Sequence, residues 1–223
     1  MTFDIITIFP RMLDGIFGES MMKRAVGLGA VTFRTIDLRD FTTDKHRTTD
    51  DRPYGGGPGM VMKADPIFQA VESVRTPHAR ILLMSPQGRR FAQSMARELS
   101  AEQHVILVCG HYEGIDERVK IGLNAEEVSI GDYVLTNGVL PAAVIVDAVV
   151  RLLPGVLGGE GAAEQESFTE NLLDCPHYTR PEEYRGMKVP EVLLSGDHGA
   201  IRKWREAEAR RRTQNRRPDL LGD

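Results

Sequence analysis

The sequence predicts an α/β fold on a mainly parallel sheet, followed by a small, mostly helical C-terminal domain. Three observations carry that expectation. Two continuous apolar runs, ARILLMS (79–85) and HVILVCG (104–110), have the character of parallel strands covered on both faces. Strand-like and helix-like segments alternate through the front two-thirds of the chain. Composition then shifts at PGVLGGEGAAEQES (154–167), a Gly-, Ala- and Glu-rich stretch with little to bury. It reads as a flexible linker between a main domain, 1–153, and a small domain, 168–223.

Each element has its own justification. TFDIITIF is a strand stopped by Pro10, and 11–26 is broadly helical with a break near Gly18. VTFRTID (31–37) alternates apolar and polar residues like a half-buried strand. ADPIFQAVESV starts a helix, with Asp65 as N-cap and Pro66 at the first helical position. ARILLMS is the next strand, and PQGRR turns the chain into a helix over 91–99. HVILVCG is a second buried strand. A helix over 141–153 begins with Pro141, again favourably placed. Beyond the linker come PHYTRPEEY, the apolar VPEVLLSG, and an amphipathic helix around Ile201, Trp204 and Arg205. Trp204 is read as core of the small domain.

Composition narrows the function. The chain has 223 residues, 41% hydrophobic and 27% charged, enough for a sizeable core. No apolar stretch has membrane-spanning length, since Val144–Leu153 is broken by Asp147 and Arg151. MTFDIITIFP lacks the basic start and small-residue cleavage site of a signal peptide. Cys109 and Cys175 are far apart and without metal-ligand spacing, so no metal is assigned, and a reduced cytoplasmic protein is expected. Net charge is −4, yet residues 202–217 hold eight Arg and Lys against Glu206 and Glu208. That segment is +6 on a body of −10. It is either a phosphate-binding surface or a solvated helix face.

The most conspicuous motif, RPYGGGPGMVM (52–62), suggests a phosphate loop and fails both tests for one. A Walker A loop needs Lys and Ser/Thr after its last glycine, where Met60, Val61 and Met62 stand. A dinucleotide fingerprint needs G-x-G-x-x-G between a strand and a helix, which this is not. It remains a turn with left-handed glycines or an exposed loop over a site. The polar crowd just before it, Asp44, Lys45, His46, Arg47, Asp50, Asp51 and Arg52, favours the loop over a site.

Two other glycine segments fall where open α/β sheets bind ligands, CGHYEGIDERV (109–119) and SIGDYVLTNGVLPAAV (129–144). Glycine backbone beside Ile130, Tyr133, Leu135 and Leu140 suits a flat heterocycle. Glu113, Asp116 and Asp132 suit positive character, as in an adenine-bearing sulfonium. Ligand-free strand-end turns are the alternative.

These stretches, with DKHRTTDDRPYGGGPGM, SPQG, the Ser167–Phe168 pair, LLDCPHYTRPEEYRG and VPEVLLSGDHGAIRKWR, occur in one order across nearly the whole chain. Together they closely resemble the bacterial tRNA (guanine-37-N1)-methyltransferases of the SPOUT superfamily. The resemblance implies a SPOUT methyltransferase fold with a deep C-terminal trefoil knot. It also implies a homodimer with active sites shared between subunits, and transfer of a methyl group from S-adenosyl-L-methionine to N1 of guanosine 37 in tRNA. A related SPOUT enzyme with another RNA target and an RNA-binding module without activity are the alternatives.

By the family pattern, cofactor contacts fall on Pro86, Gly110, Tyr112, Glu113, Gly114, Ile130, Gly131, Tyr133, Leu135, Gly138 and Pro141. N1 of neutral guanine carries a proton, so a general base is required, with a cation near O6. The family places an aspartate before the Ser-Phe pair. Here Glu166 stands there and is expected to be the base, with Glu164 as the fallback. Arg151 is expected to be the cation, its alternative role being to complement the helix macrodipole. Asn137 and Asn171 stand where relatives commonly have glycine, and asparagine tolerates the left-handed backbone such positions use. RNA contacts are expected from Asp50, Gly55, Gly56 and Gly57 in the loop. In the small domain they are expected from Asp174, His177, Tyr178, Arg180, Ser195, His198, Lys203 and Arg205.

Overall fold

A computed structural model describes residues 1–159 and 166–222. The centre of the expected linker, including Glu164, lies outside the described residues. The chain divides into two compact units, Met1–Gly158 and Gly159–Asp223. Val156 is fully buried in the same core as Leu153, so the first unit continues past Pro154.

The first unit is a five-stranded sheet in the order β2-β1-β6-β5-β7, formed by β1 (Thr2–Thr7), β2 (Thr32–Asp37), β5 (Arg80–Arg90), β6 (His104–Cys109) and β7 (Glu126–Ser129). Every neighbouring pair is parallel. β6 is central and buried along its whole length. Val105, Leu107 and Cys109 face one apolar cluster, and Ile106 and Val108 face the other. That two-sided burial is why HVILVC carries no polar alternation.

Helices cover both faces. α2 (Ser20–Gly27), α4 (Gln93–Ser100) and α6 (Val139–Val150) bury Ala25, Leu99 and Ile145 against the first cluster. α3 (Ala64–Val74) and α5 (Glu117–Leu123) bury Ile67, Val71 and Leu123 against the second. The short α1 (Asp14–Phe17) and α2 sit on either side of the break expected near Gly18. β2 is an edge strand, and its exposure alternates in the expected manner at its start.

Three expectations need correction. PQGRR does not turn the chain: β5 runs on to Arg90, with a register shift between Met84 and Arg89, and pairs Arg89 and Arg90 with Val128 and Ser129. The pairing of both strand ends to β7 outweighs the local turn signal. Asp65 is not the N-cap of α3, because Lys63 holds that place and Asp65 lies in the first turn. Pro141 likewise does not open α6, which starts at Val139. Pro66 and Pro141 are third residues of their helices, where the amide still has no intrahelical acceptor and proline is tolerated.

A hairpin of β3 (Asp50–Asp51) and β4 (Val61–Met62) carries the glycine-rich motif at its tip. In the second unit, β8 (Glu183–Tyr184) and β9 (Met187–Lys188) form another hairpin, followed by α7 (Glu191–Leu194) and α8 (His198–Arg216). Asp197 caps α8 by accepting from Gly199 N and Ala200 N at 2.9 and 3.0 Å. Thr213, the buried polar residue of α8, accepts from Leu173 N at 2.8 Å and donates to Ala209 O. Trp204 is only partly buried, with its ring 6.4 Å from that of Tyr178.

At the amino ends of the strands, Asp4 is fully buried and carries a network. Arg34 donates to both its oxygens at 2.6 Å. His104 Nε2 meets Oδ2 at 2.7 Å, and His104 Nδ1 meets Thr76 Oγ1 at 2.8 Å. Asp4→Ala leaves Arg34 and His104 without their shared carboxylate. It should destabilise the protein by about 3 kcal/mol, the low end for a broken buried pair because Arg34 is half exposed. Urea unfolding of the full chain measures it.

Candidate active site

The site is assembled where two strands end beside the irregular stretch of a third. β6 stops at Cys109 and runs into Gly110–Asp116, and β7 stops at Ser129 and runs into the 130–138 segment. With the Met84–Gln87 stretch of β5, these loops enclose a cavity of about 270 Å³. That is near the lower end for small-molecule sites, roughly 300 Å³. Pro86, Gly110, Tyr112, Glu113, Gly114, Ile130, Gly131, Tyr133, Leu135, Gly138 and Pro141 all line it. The structure thus brings together residues separated by about a third of the first unit in sequence.

Local chemistry explains each wall. Asp116 caps α5 by accepting from Arg118 N at 3.0 Å, and its carboxylate also receives Arg118 Nε and an Nη at 2.8 and 2.6 Å. Those hydrogen bonds, with Arg118's side chain first, hold the Asp116 carboxyl below its ordinary value. Asn137 Oδ1 accepts from Val139 N at 2.9 Å, just ahead of Gly138, the N-cap of α6. The left-handed conformation expected at Asn137 is absent; its side-chain oxygen serves the helix start instead. Asn171 does adopt a left-handed backbone, at φ 57°.

The two walls are fastened where β6 ends. Gly138 N donates to Gly110 O at 2.8 Å. A Cβ at Gly138 would lie 2.8 Å from Cys109 Cα and 2.9 Å from Gly110 N, so no side chain fits this crossing. His111 adds a second fastening, its Nδ1 donating to Thr136 O at 2.8 Å. Its ring stacks edge-on to Phe9, with centroids 4.9 Å apart.

The glycine hairpin joins the third side. Glu113 N donates to Met60 O, Met62 N to Gly114 O, and Asp116 N to Met62 O, at 2.9–3.0 Å. Met62 is buried in the second cluster, which anchors the hairpin's base. Tyr112, left-handed at φ 59°, has its phenol pushed up by burial and by the nearby negative charge of Asp50. Asp50 is thereby placed beside the cavity. Gly55, Gly56 and Gly57 line no part of it.

Two charged residues that motif reasoning passed over also line the cavity. Lys120 Nζ lies 2.5 Å from Glu127 Oε2. The lysine hydrogen bond holds the Glu127 carboxyl below its ordinary value, against burial. The pair's contribution to stability is therefore present at neutral pH and is lost only as pH falls through that depressed value. Nothing in the local pattern marks these two, because α5 and β7 bring them together in space. His111 was visible inside CGHYEG, though its bond to Thr136 was not.

The remaining site residues are distributed. His177, Tyr178, Arg180 and Arg205 line a second cavity, within the second unit. Asp174 accepts from His177 Nε2 at 2.7 Å. Burial acts to raise the Asp174 carboxyl, but hydrogen bonds from His177 and the Cys175 amide outweigh it and leave the carboxyl lowered. Asp174, Cys175 and His177 are the group among the described residues with three potential metal-ligand atoms within 4.8 Å. Ser195 Oγ donates to Val192 O and accepts from Asp197 N, securing the turn before α8. His198 and Lys203 are exposed on α8. Arg151 is the C-cap residue of α6, in the first unit. Glu166 is half-buried in the second, its carbonyl accepting from Thr169 N at 3.1 Å.

Comparison with known proteins bears on this geometry. The family model for tRNA (guanine-1)-methyltransferase TrmD matches residues 1–223. A tRNA (guanine-N(1)-)-methyltransferase of Geobacillus kaustophilus is 56% identical over 225 aligned residues, spanning 100% of this chain and 92% of the relative. Proteins of the same name from Anoxybacillus flavithermus and Bacillus cereus are 54% and 55% identical, covering 99% and 100% of this chain and 91% and 93% of theirs.

His111→Ala removes the fastening at Thr136 while leaving the Gly138 crossing in place. Amide exchange over 133–137 should accelerate by about five- to tenfold, the effect of one hydrogen bond at roughly 1 kcal/mol. Protection in β6 should not change. Hydrogen-exchange mass spectrometry reads both.

Proposed function

The chain belongs to the tRNA (guanine-1)-methyltransferase family, and from that premise we propose that it methylates N1 of guanosine 37 in the anticodon loop of tRNA. The methyl donor is S-adenosylmethionine. The observation that carries this reading is the convergence of two glycine segments and Pro86 on one cavity. Its chemistry fits that donor. Backbone amides and carbonyls of glycine read a flat adenine, Ile130, Leu135 and Pro141 provide apolar walls, and Glu113 favours positive charge.

When bound, the cofactor supplies an electrophilic methyl group on its sulfonium. The residues of this chain do the rest. The cavity walls would hold the donor, and the Gly138–Gly110 and His111–Thr136 bonds keep those walls together. Glu166 takes the proton from N1. Arg151 stabilises the charge that develops on O6. These two belong to different units of the chain.

The close crossing at Gly138 is read as the local sign of a trefoil knot, since a chain drawn so tightly under a strand end leaves no room for a side chain. A homodimer accounts for the exposed Leu140 and Val144 on α6 and for Met12 and Ile16. The second unit binds tRNA through the His177, Tyr178, Arg180 and Arg205 cavity and through the basic face of α8. No described helix is long and apolar enough to cross a membrane. A cytoplasmic setting suits a tRNA substrate.

Methyl transfer from labelled cofactor should occur with tRNA carrying guanosine at position 37 and vanish when another base stands there. Absence of transfer to the first would overturn the reading. Glu166→Gln should reduce turnover by roughly 10²- to 10⁴-fold, the range for a general base. Its cofactor affinity, by calorimetry, should stay within about twofold of wild type.

A further inference from the structure

Tyr54 is the most exposed large hydrophobic residue among those described, at 101% of its reference accessibility. It sits at the tip of the β3–β4 hairpin, directly before Gly55, Gly56 and Gly57. Those glycines have φ of 85°, 77° and 112°, all left-handed. A Cβ on any of them would meet nothing within 4 Å. The glycines are therefore required by backbone conformation and not by crowding, and what they achieve is to hold the tyrosine ring out in solvent.

Single exposed aromatics are ordinary, but three further observations set this one apart. The hairpin's base is hydrogen-bonded into the cavity wall at Glu113, Gly114 and Asp116, so the loop that carries the ring starts from the site. Arg118 is near enough for its charge to interact with Tyr54. The Asp116 carboxylate holds that guanidinium by two contacts while its side chain remains 73% exposed. Arg52, also exposed, is two residues from Tyr54 on the same hairpin.

A free aromatic face with a held guanidinium nearby and a second arginine on the same hairpin is the combination that binds single-stranded nucleic acid. The ring stacks on a base irrespective of its identity, and the cations meet the backbone phosphates. We propose that Tyr54 is a stacking platform for an unpaired nucleobase neighbouring the methylated guanine, with Arg52 and Arg118 holding the adjoining phosphates. Tyr54 is thus a positioning residue: it keeps the splayed loop in place over the cavity and takes no part in proton or methyl transfer. The inference rests on the tRNA reading above.

The test uses the full chain and a fluorescein-labelled anticodon stem-loop RNA, with affinity read by anisotropy, so that RNA binding is measured apart from catalysis. Tyr54→Ala should weaken RNA binding by roughly 5- to 100-fold, the effect of one lost base stack. It should raise KM for tRNA by a similar factor, with kcat and cofactor affinity within about twofold of wild type. Tyr54→Phe, which keeps the ring, should restore RNA affinity. A 2-aminopurine placed next to position 37 should be quenched by wild type and by Tyr54→Phe, and much less by Tyr54→Ala. Unchanged RNA affinity in Tyr54→Ala overturns the proposal. So does a Tyr54→Phe as weak as Tyr54→Ala, which would assign the role to the hydroxyl. An equal loss of cofactor affinity would make the residue structural and also overturn it. If wild type binds the stem-loop but fails to methylate guanosine 37, the activity reading fails while the stacking result still stands or falls on affinity and quenching.

Discussion

The first unit depends on a single close approach, the crossing of Gly138 over Gly110. The amide of one donates to the carbonyl of the other at 2.8 Å, with Cys109 Cα and Met84 Cβ within 2.9 Å of where a side chain would begin. This contact ties the segment after β7 to the end of β6 and directs α6 back onto the sheet, where Ile145, Val146 and Val149 complete the first core cluster. Without it, the two glycine segments would be independent loops at neighbouring strand ends. With it, they become facing walls of one cavity. Burial of the apolar α6 and formation of the site are therefore consequences of the same backbone geometry.

The sheet separates stability from chemistry along its length. At the amino ends, Asp4, Arg34, His104 and Thr76 form a closed hydrogen-bonded network whose carboxylate is fully buried and satisfied. At the carboxyl ends, the backbone leaves the ladder, and polar groups point into a cavity. Parallel strands make this division natural, because every strand delivers its connecting loop to the same edge. The glycine hairpin joins that edge through main-chain hydrogen bonds at its base and leaves its tip free. The space around Gly55 to Gly57 is open. Their left-handed backbone turns the hairpin and presents Tyr54.

Much of this was legible in the sequence, and for identifiable reasons. HVILVC announced a strand buried on both faces because no polar residue interrupts it. The cavity residues could be named because two glycine-bearing stretches followed apolar runs and matched a family order. Boundaries were less legible. β5 outran its expected end because pairing with Val128 and Ser129 holds PQGRR extended. α3 and α6 began before the expected cap and proline because a proline in the first turn does not say which of the first residues it is. Asn137 looked like a left-handed residue and instead accepts from the first amide of α6, as the same side chain is suited to either role.

By itself the sequence determined the class of fold, the alternation of strands and helices, the composition of the two core faces, and the residue types available to a methyl donor and to RNA. Periodicity and local backbone preference act over a few residues, so they are written in consecutive positions. Only the tertiary structure decided which loops meet. The bond from His111 to Thr136 and Asp50 against Tyr112 join residues far apart in the chain, and the Lys120–Glu127 pair in the cavity wall joins a helix to the following strand. No local pattern encodes such contacts. They follow from the path of the chain across the sheet edge, and that path is set by where a backbone without a side chain can pass.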